Sequence, residues 1–311
     1  MSEYVRITDV SPRDGLQNEA GNVPTRDKVR LIRALCATGV DEIEATSFVS
    51  PKWVPQLADG PDVLAAVAHL TPRPTISTLV PNVHGMDAAL RVNERAHEDT
   101  GRVVIDKIAV FTAASETFAK KNTNATIAET IERFRPVVVL ARKHALLVRA
   151  YVSCVIACPF EGPTPPAHVA RVVSMLADLG VDEIDLGDTI GAATPETVAT
   201  MLTTAMAVPS AVNEPRLAWT LHLHDTFGRA DACVRAALEV GIRSFDGAAG
   251  GLGGCPYAGT PDRRAPGNIS TATLISTIHE AGYVTGVNGD ALAKASAIAS
   301  SLVTSSRAAA R

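Results

Sequence analysis

His222 and His224 stand two residues apart in the segment HLHD. Side chains two apart in a β-strand project from the same face, so this spacing brings both imidazoles to one place. Two neutral imidazoles provide half of a divalent metal site, and an aspartate from another strand would add the anionic oxygen that magnesium, manganese or zinc accepts. The alternative is a pair of hydrogen-bonded histidines without a metal. Asp225, the next residue, either orients a ligand or caps a helix.

Arg13 and Asp14 are adjacent in the segment SPRDGLQNE. The composition RDG is common in turns, and an exposed surface pair is the simpler interpretation. The functional interpretation makes Asp14 the anionic metal ligand and a candidate base. It also directs Arg13 toward an oxyanion that develops during a reaction.

The run Gly250–Gly254, followed by Cys255, is too rich in glycine for a helix or a strand. It predicts either a flexible loop with a small buried thiol or a mobile lid that delivers a thiol when substrate binds. The residues alone leave both interpretations open. Cys154 and Cys158, by contrast, favour positions in the core.

Short β-like runs alternate with stretches of helical spacing along the chain. The predicted strands are Val5–Val10, Asp41–Phe48, Thr75–Pro81, Lys107–Ser115, Leu147–Ile156, Glu183–Thr189, Ala218–Asp225 and Ser244–Ala249. Several are rich in Val and Ile, as strands buried on both faces should be. The near-copies GVDEIEATSF and GVDEIDLGDT indicate a repeated helix-to-strand step. Together these features predict an α/β fold, a single (β/α)₈ TIM barrel over residues 1–311; a doubly wound open sheet is disfavoured because no G-x-G-x-x-G follows the first strand.

In such a barrel, function lies on the loops that follow the carboxyl ends of the strands. The polar residues Glu44, Ser47 and Asp188 occupy predicted strand ends, as the two histidines do. A glycine-rich loop at about residues 250–268 follows the last strand. After it we predict two short closing helices within about residues 270–303, and a frayed end over Ser305–Arg311.

The composition excludes several classes of function. The net charge is −4 and aromatic residues make up 4%, so neither a basic nucleic-acid footprint nor an aromatic stacking platform is present. No long apolar run predicts a membrane span, and the start of the chain does not resemble a signal peptide. The five cysteines are widely spread and do not resemble a disulfide framework. We therefore expect a cytoplasmic protein that binds neither nucleic acid nor membrane.

Seven stretches in order along the chain resemble the 3-hydroxy-3-methylglutaryl-CoA lyase family, one of the metal-dependent TIM-barrel lyases. They are SPRDGLQNE, IEATSFVSPKWVPQLAD, AASETFAKKN, YVSCVIACPFEG, LGDTIG, HLHDTFG and GLGGCPYAG with its following GN. The resemblance implies one divalent metal, Mg²⁺ or Mn²⁺, an acyl-CoA thioester substrate and a homodimer. The metal ligands it implies are Asp14, His222, His224 and Asn268.

The resemblance also implies a retro-Claisen cleavage to acetyl-CoA and acetoacetate. Asp14 would take the proton of the tertiary hydroxyl, and Arg13 would stabilise the enolate oxygen of the thioester. Glu44 would organise the metal site, and Cys255 would be the loop thiol needed for turnover, as proton donor or lid element. Further residues complete the predicted catalytic and supporting set: His222, Gln17, Ser47 and Asp188.

Some segments depart from the family pattern. The stretch between Cys255 and Asn268 is longer than expected and contains Arg263 and Arg264, which favours a bulkier 3-hydroxy-3-alkylglutaryl-CoA as an alternative substrate. A Claisen-type synthase or an aldolase of the same barrel superfamily is a further alternative. A catalytically inactive barrel scaffold belongs to a different class. The intact set of candidate ligands argues against it, because clustered polar groups are costly to bury.

Overall fold

Eight parallel strands close into a barrel within the residues that the computed structural model describes, which are 2–208, 217–254 and 267–309. The barrel strands are β1 (Arg6–Asp9), β2 (Glu42–Ser47), β3 (Thr75–Leu79), β4 (Lys107–Ala113), β5 (Leu147–Ser153), β8 (Glu183–Asp188), β9 (Ala218–Leu223) and β10 (Ser244–Gly247). Their order around the barrel is β1–β10–β9–β8–β5–β4–β3–β2. The strands β6 (Ala157–Cys158) and β7 (Gly162–Pro163) form a small antiparallel pair outside it. The predicted TIM barrel is confirmed, and each barrel strand ends before the predicted limit.

Helices follow the barrel strands and pack against their outer face. In the described part of the chain they are α1 (Thr25–Cys36), α2 (Gly60–Val67), α3 (Val83–Thr100), α4 (Glu116–Thr123), α5 (Ile127–Lys143), α6 (Pro166–Leu179), α7 (Pro195–Met206), α8 (Ala230–Val240), α9 (Thr271–Glu280) and α10 (Gly289–Ala309). Val29, Ile32 and Leu35 lie on one face of α1 and are buried in the core. None of the helices within the described ranges is long and apolar enough to cross a membrane.

The two faces of β9 show how the layers are built. Leu221 and Leu223 are buried in the hydrophobic core between strands and helices. Thr220 and His222, which alternate with them, instead make hydrogen bonds to polar side chains of the neighbouring strands. This period of two is what turns the sequence HLH into a pair of inward-facing imidazoles.

Charged side chains fill much of the barrel interior. We call Lys107, Arg149, Glu42 and Glu183 the interior ion-pair layer. The ammonium of Lys107 lies 2.5 Å from a Glu42 oxygen and 2.6 Å from a Glu183 oxygen. Nη2 of Arg149 lies 2.9 Å from Glu183 and 3.2 Å from Glu42. The strands are buried on both faces, as predicted, but the inner face carries charges, which are tolerated there because they are paired.

The two near-copies in the sequence occupy equivalent places in the two halves of the barrel. Gly39 and Gly180 both adopt positive φ angles, 82° and 86°, a conformation that glycine reaches without steric cost. Glu42 and Glu183 hold the same position within the two copies, and both pair with Lys107. The predicted repeated helix-to-strand step is confirmed.

The end of the chain packs more tightly than predicted. The two closing helices are present as α9 and α10, but α10 continues to Ala309 and does not end near residue 303. The hydroxyl of Ser306 is buried and bonds the backbone of Gly21, and Arg307 pairs with Glu19. The expectation of fraying from Ser305 is therefore wrong as far as residue 309, since these contacts tie the last turns to the start of the barrel.

Candidate active site and metal centre

The two predicted histidines meet Asp14 at the carboxyl end of the barrel strands. His222 lies on β9 and His224 just beyond it, and their ring centroids are 5.2 Å apart. One ligand atom from each histidine and a carboxylate oxygen of Asp14 all lie within 4.8 Å of one another. The predicted convergence of the HLH pair with an aspartate of another strand is thus present in the fold.

Arg13 and Asp14 lie on a π-helical turn, Ser11–Gly15, directly after β1. The guanidinium of Arg13 donates from Nη1 to Asp14 at 2.9 Å and from Nε to Glu44 at 2.6 Å. Arg13 and Glu44 are buried, so the interpretation of an exposed surface pair is wrong. Gly15 is required in this turn because a Cβ there would lie 2.9 Å from the Cβ of Leu252.

Asn268 completes the cluster from the far side of the glycine-rich segment. An isolated antiparallel bridge pairs it with His224. Its Nδ2 donates to Asp14 at 2.8 Å and to the carbonyl of Leu252 at 2.9 Å. Its Oδ1 is buried and has no hydrogen-bonding partner among the described residues. A buried acceptor without a donor is costly, and a cation bound there would remove that cost.

These residues fit a divalent cation. The cluster offers two imidazoles, one carboxylate and one amide oxygen, and such mixed nitrogen and oxygen sets bind Mg²⁺, Mn²⁺ or Zn²⁺. The free Oδ1 of Asn268 is the atom that most directly supports this interpretation.

Local electrostatics keep the cluster ready for a cation. Burial raises the pKa of Asp14, but the charges of Arg13 and the two histidines and the bond from Asn268 outweigh it and lower that pKa to about 2. Burial lowers the pKa of His224 to about 4, and the neighbouring His222 adds to the effect. At neutral pH, Asp14 is therefore an anion and His224 a neutral imidazole, which are the forms that bind metals.

The family described as HMGL-like matches residues 4–299 of this chain. The chain belongs to that family. It is 45% identical over 286 residues to the mitochondrial hydroxymethylglutaryl-CoA lyase of Arabidopsis thaliana, covering 92% of this chain and 57% of that one. It is 42% identical over 295 residues to the 3-hydroxy-3-isohexenylglutaryl-CoA/hydroxy-methylglutaryl-CoA lyase of Pseudomonas aeruginosa, covering 95% of this chain and 91% of that one. The crystal structure of the HMG-CoA lyase from Brucella melitensis superimposes with a TM-score of 0.87 at 46% identity, covering 97% of this chain and 100% of that chain.

The remaining residues predicted for this HMGL-like site lie at different distances from the cluster. Glu44 contacts it through Arg13. Asp188 is buried at the end of β8, where its carboxylate accepts the backbone N–H groups of Ala192 and Ala193 and so holds the loop that follows β8. Burial raises the pKa of Asp188 to about 6. Within the described residues its side chain makes no hydrogen bond to the cluster.

Ser47 and Gln17 are also not joined to the cluster. Ser47 is the last residue of β2, and its buried hydroxyl has no partner among the residues described. Gln17 is half-buried after the π-helical turn, and its side chain makes no hydrogen bond within the same ranges. Asp225 accepts the backbone N–H of Ala230, the first residue of α8, but the N-cap position of that helix is held by Arg229, so the N-cap alternative for Asp225 is wrong.

The described part of the glycine-rich loop approaches the cluster closely. Gly253 has a φ of 113°, and a Cβ on it would lie 2.6 Å from Nδ2 of Asn268 and 3.4 Å from Asp14. Only glycine fits at that position, since a side chain would displace the Asn268 amide. The predicted loop thiol, Cys255, lies outside the described residues. Cys154 and Cys158 are buried, as predicted.

Reasoning from the sequence missed the residues that support the cluster from within the barrel. The ring of Tyr151 lies between two guanidinium groups, 5.4 Å from that of Arg13 and 5.7 Å from that of Arg149. It also meets His222 edge to face, with centroids 6.3 Å apart. Asp246 lies 3.0 Å from Nδ1 of His222. The signal available in the sequence was the period of two along β5, which puts Tyr151 on the same face of the strand as Arg149.

Proposed function

We propose that this protein is a divalent-metal-dependent carbon–carbon lyase that cleaves 3-hydroxy-3-methylglutaryl-CoA to acetyl-CoA and acetoacetate. The observation that carries the proposal is the convergence of Asp14, His222, His224 and Asn268 at the barrel mouth, with Arg13 beside them. Similarity to relatives named as HMG-CoA lyases over most of this chain supports the substrate.

Asp14, His222, His224 and Asn268 would hold the metal. A bound Mg²⁺ or Mn²⁺ would supply a positive charge that orients the tertiary hydroxyl and a carboxylate oxygen of the substrate and lowers the pKa of that hydroxyl.

Asp14 is our candidate for the group that accepts the hydroxyl proton. Its carboxylate is ionised and lies at the rim of the cluster, with 21% of its side chain exposed. A pKa of about 2 makes it a weak base when it acts alone, so the transfer depends on an acidified hydroxyl. When the proton leaves, the carbon–carbon bond breaks and the electron pair moves into the thioester to form an enolate.

Arg13 is placed to stabilise that enolate. Its Nε and Nη1 are fixed by Glu44 and Asp14, while Nη2 makes no hydrogen bond to any described residue. The hydrogen bonds from Nε and Nη1 therefore fix the guanidinium of Arg13, and its remaining N–H donors are available to an oxyanion. A donor held rigidly in this way contributes most when negative charge develops, that is, in the transition state.

The enolate carbon must then receive a proton. Cys255 stays our candidate for this step, as the donor or as part of a lid that excludes water. Gly253, two residues before Cys255, lies beside Asn268 and Asp14, which supports a role for Cys255 at this cluster.

A bulkier 3-hydroxy-3-alkylglutaryl-CoA is the second candidate substrate. The Pseudomonas relative is named for both a 3-isohexenyl and a 3-methyl substrate, and it is 42% identical to this chain. The longer segment between Cys255 and Asn268 favours the same alternative. A Claisen-type synthase, an aldolase and an inactive scaffold have no comparable observation in their favour. We also propose a cytoplasmic homodimer, which gel filtration and cell fractionation would test.

The decisive test is a cleavage assay on purified protein. 3-Hydroxy-3-methylglutaryl-CoA is added with Mg²⁺ or Mn²⁺ and a thiol reductant, and acetyl-CoA release is followed with and without chelator. We expect cleavage that the chelator abolishes and that added metal restores. Bound metal without cleavage of this substrate, but with cleavage of an isohexenyl analogue, would favour the second candidate. Absence of both stoichiometric metal and cleavage would refute the proposal.

A further inference from the structure

Asp246 lies inside the barrel, next to one of the proposed metal ligands. It is the register partner of His222 on the neighbouring strand, so the backbone pairing of β10 with β9 places the two residues side by side. Its Oδ2 lies 3.0 Å from Nδ1 of His222, and both residues are buried. Nδ1 of His222 is therefore occupied by its hydrogen bond with Asp246, which leaves Nε2 as the nitrogen that can bind a cation.

Arg149 anchors Asp246 from the other side. Its Nη1 donates to Oδ1 of Asp246 at 3.2 Å, so the two carboxylate oxygens have different partners. Arg149 is itself fixed by Thr8 at 3.0 Å and Glu183 at 2.9 Å, and it is 1% exposed. A carboxylate held against a buried guanidinium can only accept hydrogen bonds. His222 must then carry its proton on Nδ1 to satisfy it.

We propose that Asp246, anchored by Arg149, is a positioning residue of the metal site that fixes the tautomer and ring orientation of His222. Carboxylates that bind the non-ligating nitrogen of a metal-bound histidine raise its basicity and its affinity for the metal. The proposal rests on the proposed function, since it concerns the same metal site.

Asp185 provides a matched comparison within the same barrel. Its carboxylate lies 3.3 Å from Nη1 of Arg149 and is fully buried, as that of Asp246 is. Within the described ranges, neither of its oxygens makes a hydrogen bond to His222. Asp185, Asp246 and His222 are close enough to form a second cation cluster. The guanidinium of Arg149 against both carboxylates disfavours that interpretation, because it already supplies the positive charge.

The test is the Mn²⁺ affinity of the full-length protein, measured by electron paramagnetic resonance after chelator treatment. We expect Asp246→Asn to weaken Mn²⁺ binding by about 10- to 100-fold. Asp185→Asn changes an equally buried carboxyl on the same arginine and should leave the affinity unchanged. Circular dichroism and thermal unfolding establish that both variants fold.

A measurement on the wild-type protein covers the case in which Asp246→Asn does not fold. Nitrogen-15 NMR of histidine-labelled, Mg²⁺-loaded protein should show His222 protonated at Nδ1. An unprotonated Nδ1, or equal Mn²⁺ affinity in wild type and a folded Asp246→Asn variant, would overturn the positioning role and leave the metal site intact. A wild-type protein that binds no Mn²⁺ would overturn both this inference and the proposed metal site. If Asp185→Asn weakened Mn²⁺ binding as much as Asp246→Asn does, the cause would be a general loss of interior charge. That result would also overturn the positioning role of Asp246.

Discussion

The interior ion-pair layer and the barrel mouth above it both bury charged side chains, yet they use them differently. In the layer, Lys107 bridges Glu42 and Glu183 at distances of 2.5 and 2.6 Å, and Arg149 contacts the same two carboxylates. Both cations pair with both carboxylates, so the layer is internally neutralised. Its charges contribute to the structure of the barrel. Because they are paired with one another, the layer has no net charge that would attract a small ion.

At the mouth, some buried polar atoms have no protein partner, and they belong to the proposed metal ligands. Arg13 pairs with both Asp14 and Glu44, while the imidazole of His224 and Oδ1 of Asn268 keep atoms that can bind a ligand. Unpaired ligand atoms that converge on one cluster point to a binding site at the mouth. The comparison predicts that changes at the mouth act on metal and turnover. Changes in the layer should act on stability, except at Arg149, which also anchors Asp246 beside His222.

The largest expected effect on activity is that of His224→Ala. Loss of one proposed ligand should remove stoichiometric metal and reduce kcat/KM by about 10⁴-fold, because a bound cation contributes several kcal/mol to transition-state stabilisation. Elemental analysis and steady-state kinetics measure the two losses. His279→Ala, an exposed histidine that bonds Thr285, is the matched control. Unchanged metal content in His224→Ala would remove this residue from the ligand set.

Lys107→Met tests the other side of the comparison. Removing the cation leaves Glu42 and Glu183 with Arg149 alone, and breaking a buried ion pair in this way costs about 3–5 kcal/mol of stability. Urea unfolding measures the loss, with the exposed Lys294→Met as control. Mn²⁺ affinity should remain, since the ammonium of Lys107 pairs with Glu42 and Glu183 and, among the described residues, with neither a proposed ligand nor Asp246. A stable Lys107→Met variant with weakened metal binding would contradict the division between layer and mouth.

The sequence was most informative where functional residues follow a local periodicity. Alternation within HLH placed both imidazoles on one face of β9, and the run of strands and helices predicted the barrel that carries them. Asn268 was implied by family resemblance only. Its side chain reaches Asp14 across 254 residues of chain, and no local pattern encodes such a contact.

The interior ion-pair layer could not be predicted for a related reason. The carboxylates of the two near-copies were visible in the sequence, but their partners Lys107 and Arg149 lie on other strands. Whether a strand residue points into the barrel or under a helix depends on how the strands are staggered when the barrel closes. The contact of Asp246 with His222 depends on the same register and became apparent only in the fold.

Arg13→Lys should affect turnover without affecting metal. A lysine keeps the positive charge but loses the fork that Glu44 and Asp14 hold in place, so the oxyanion donor is no longer fixed. We expect kcat to fall by about 10²–10³-fold with Mn²⁺ affinity retained. Arg135→Lys, on the exposed face of α5, controls for the loss of a guanidinium. Retained kcat in Arg13→Lys would show that charge alone suffices there.

The smallest effect concerns acid stability, and it again separates the two regions. Burial raises the pKa of Glu183, but the charges of Arg149 and Lys107 outweigh it and lower that pKa to about 2, well below the ordinary value of 4.5. Between these values the unfolded chain binds the proton more readily than the folded protein does. Glu183 therefore contributes stability that is fully present above pH 4.5 and is lost as the pH falls toward 2.

Glu183→Gln should flatten the dependence of the unfolding free energy on pH in that window, by up to about 3 kcal/mol across it. Urea unfolding of wild type and variant between pH 5 and pH 2.5, in steps of about half a unit, measures the slope. Glu94→Gln changes an exposed carboxylate on α3 and should leave the slope unchanged. If Glu183→Gln kept the wild-type slope, the acid sensitivity would lie outside the layer. Asp14, whose pKa is also about 2, would then be the next carboxylate to replace, and the mouth would contribute to stability as well as to binding.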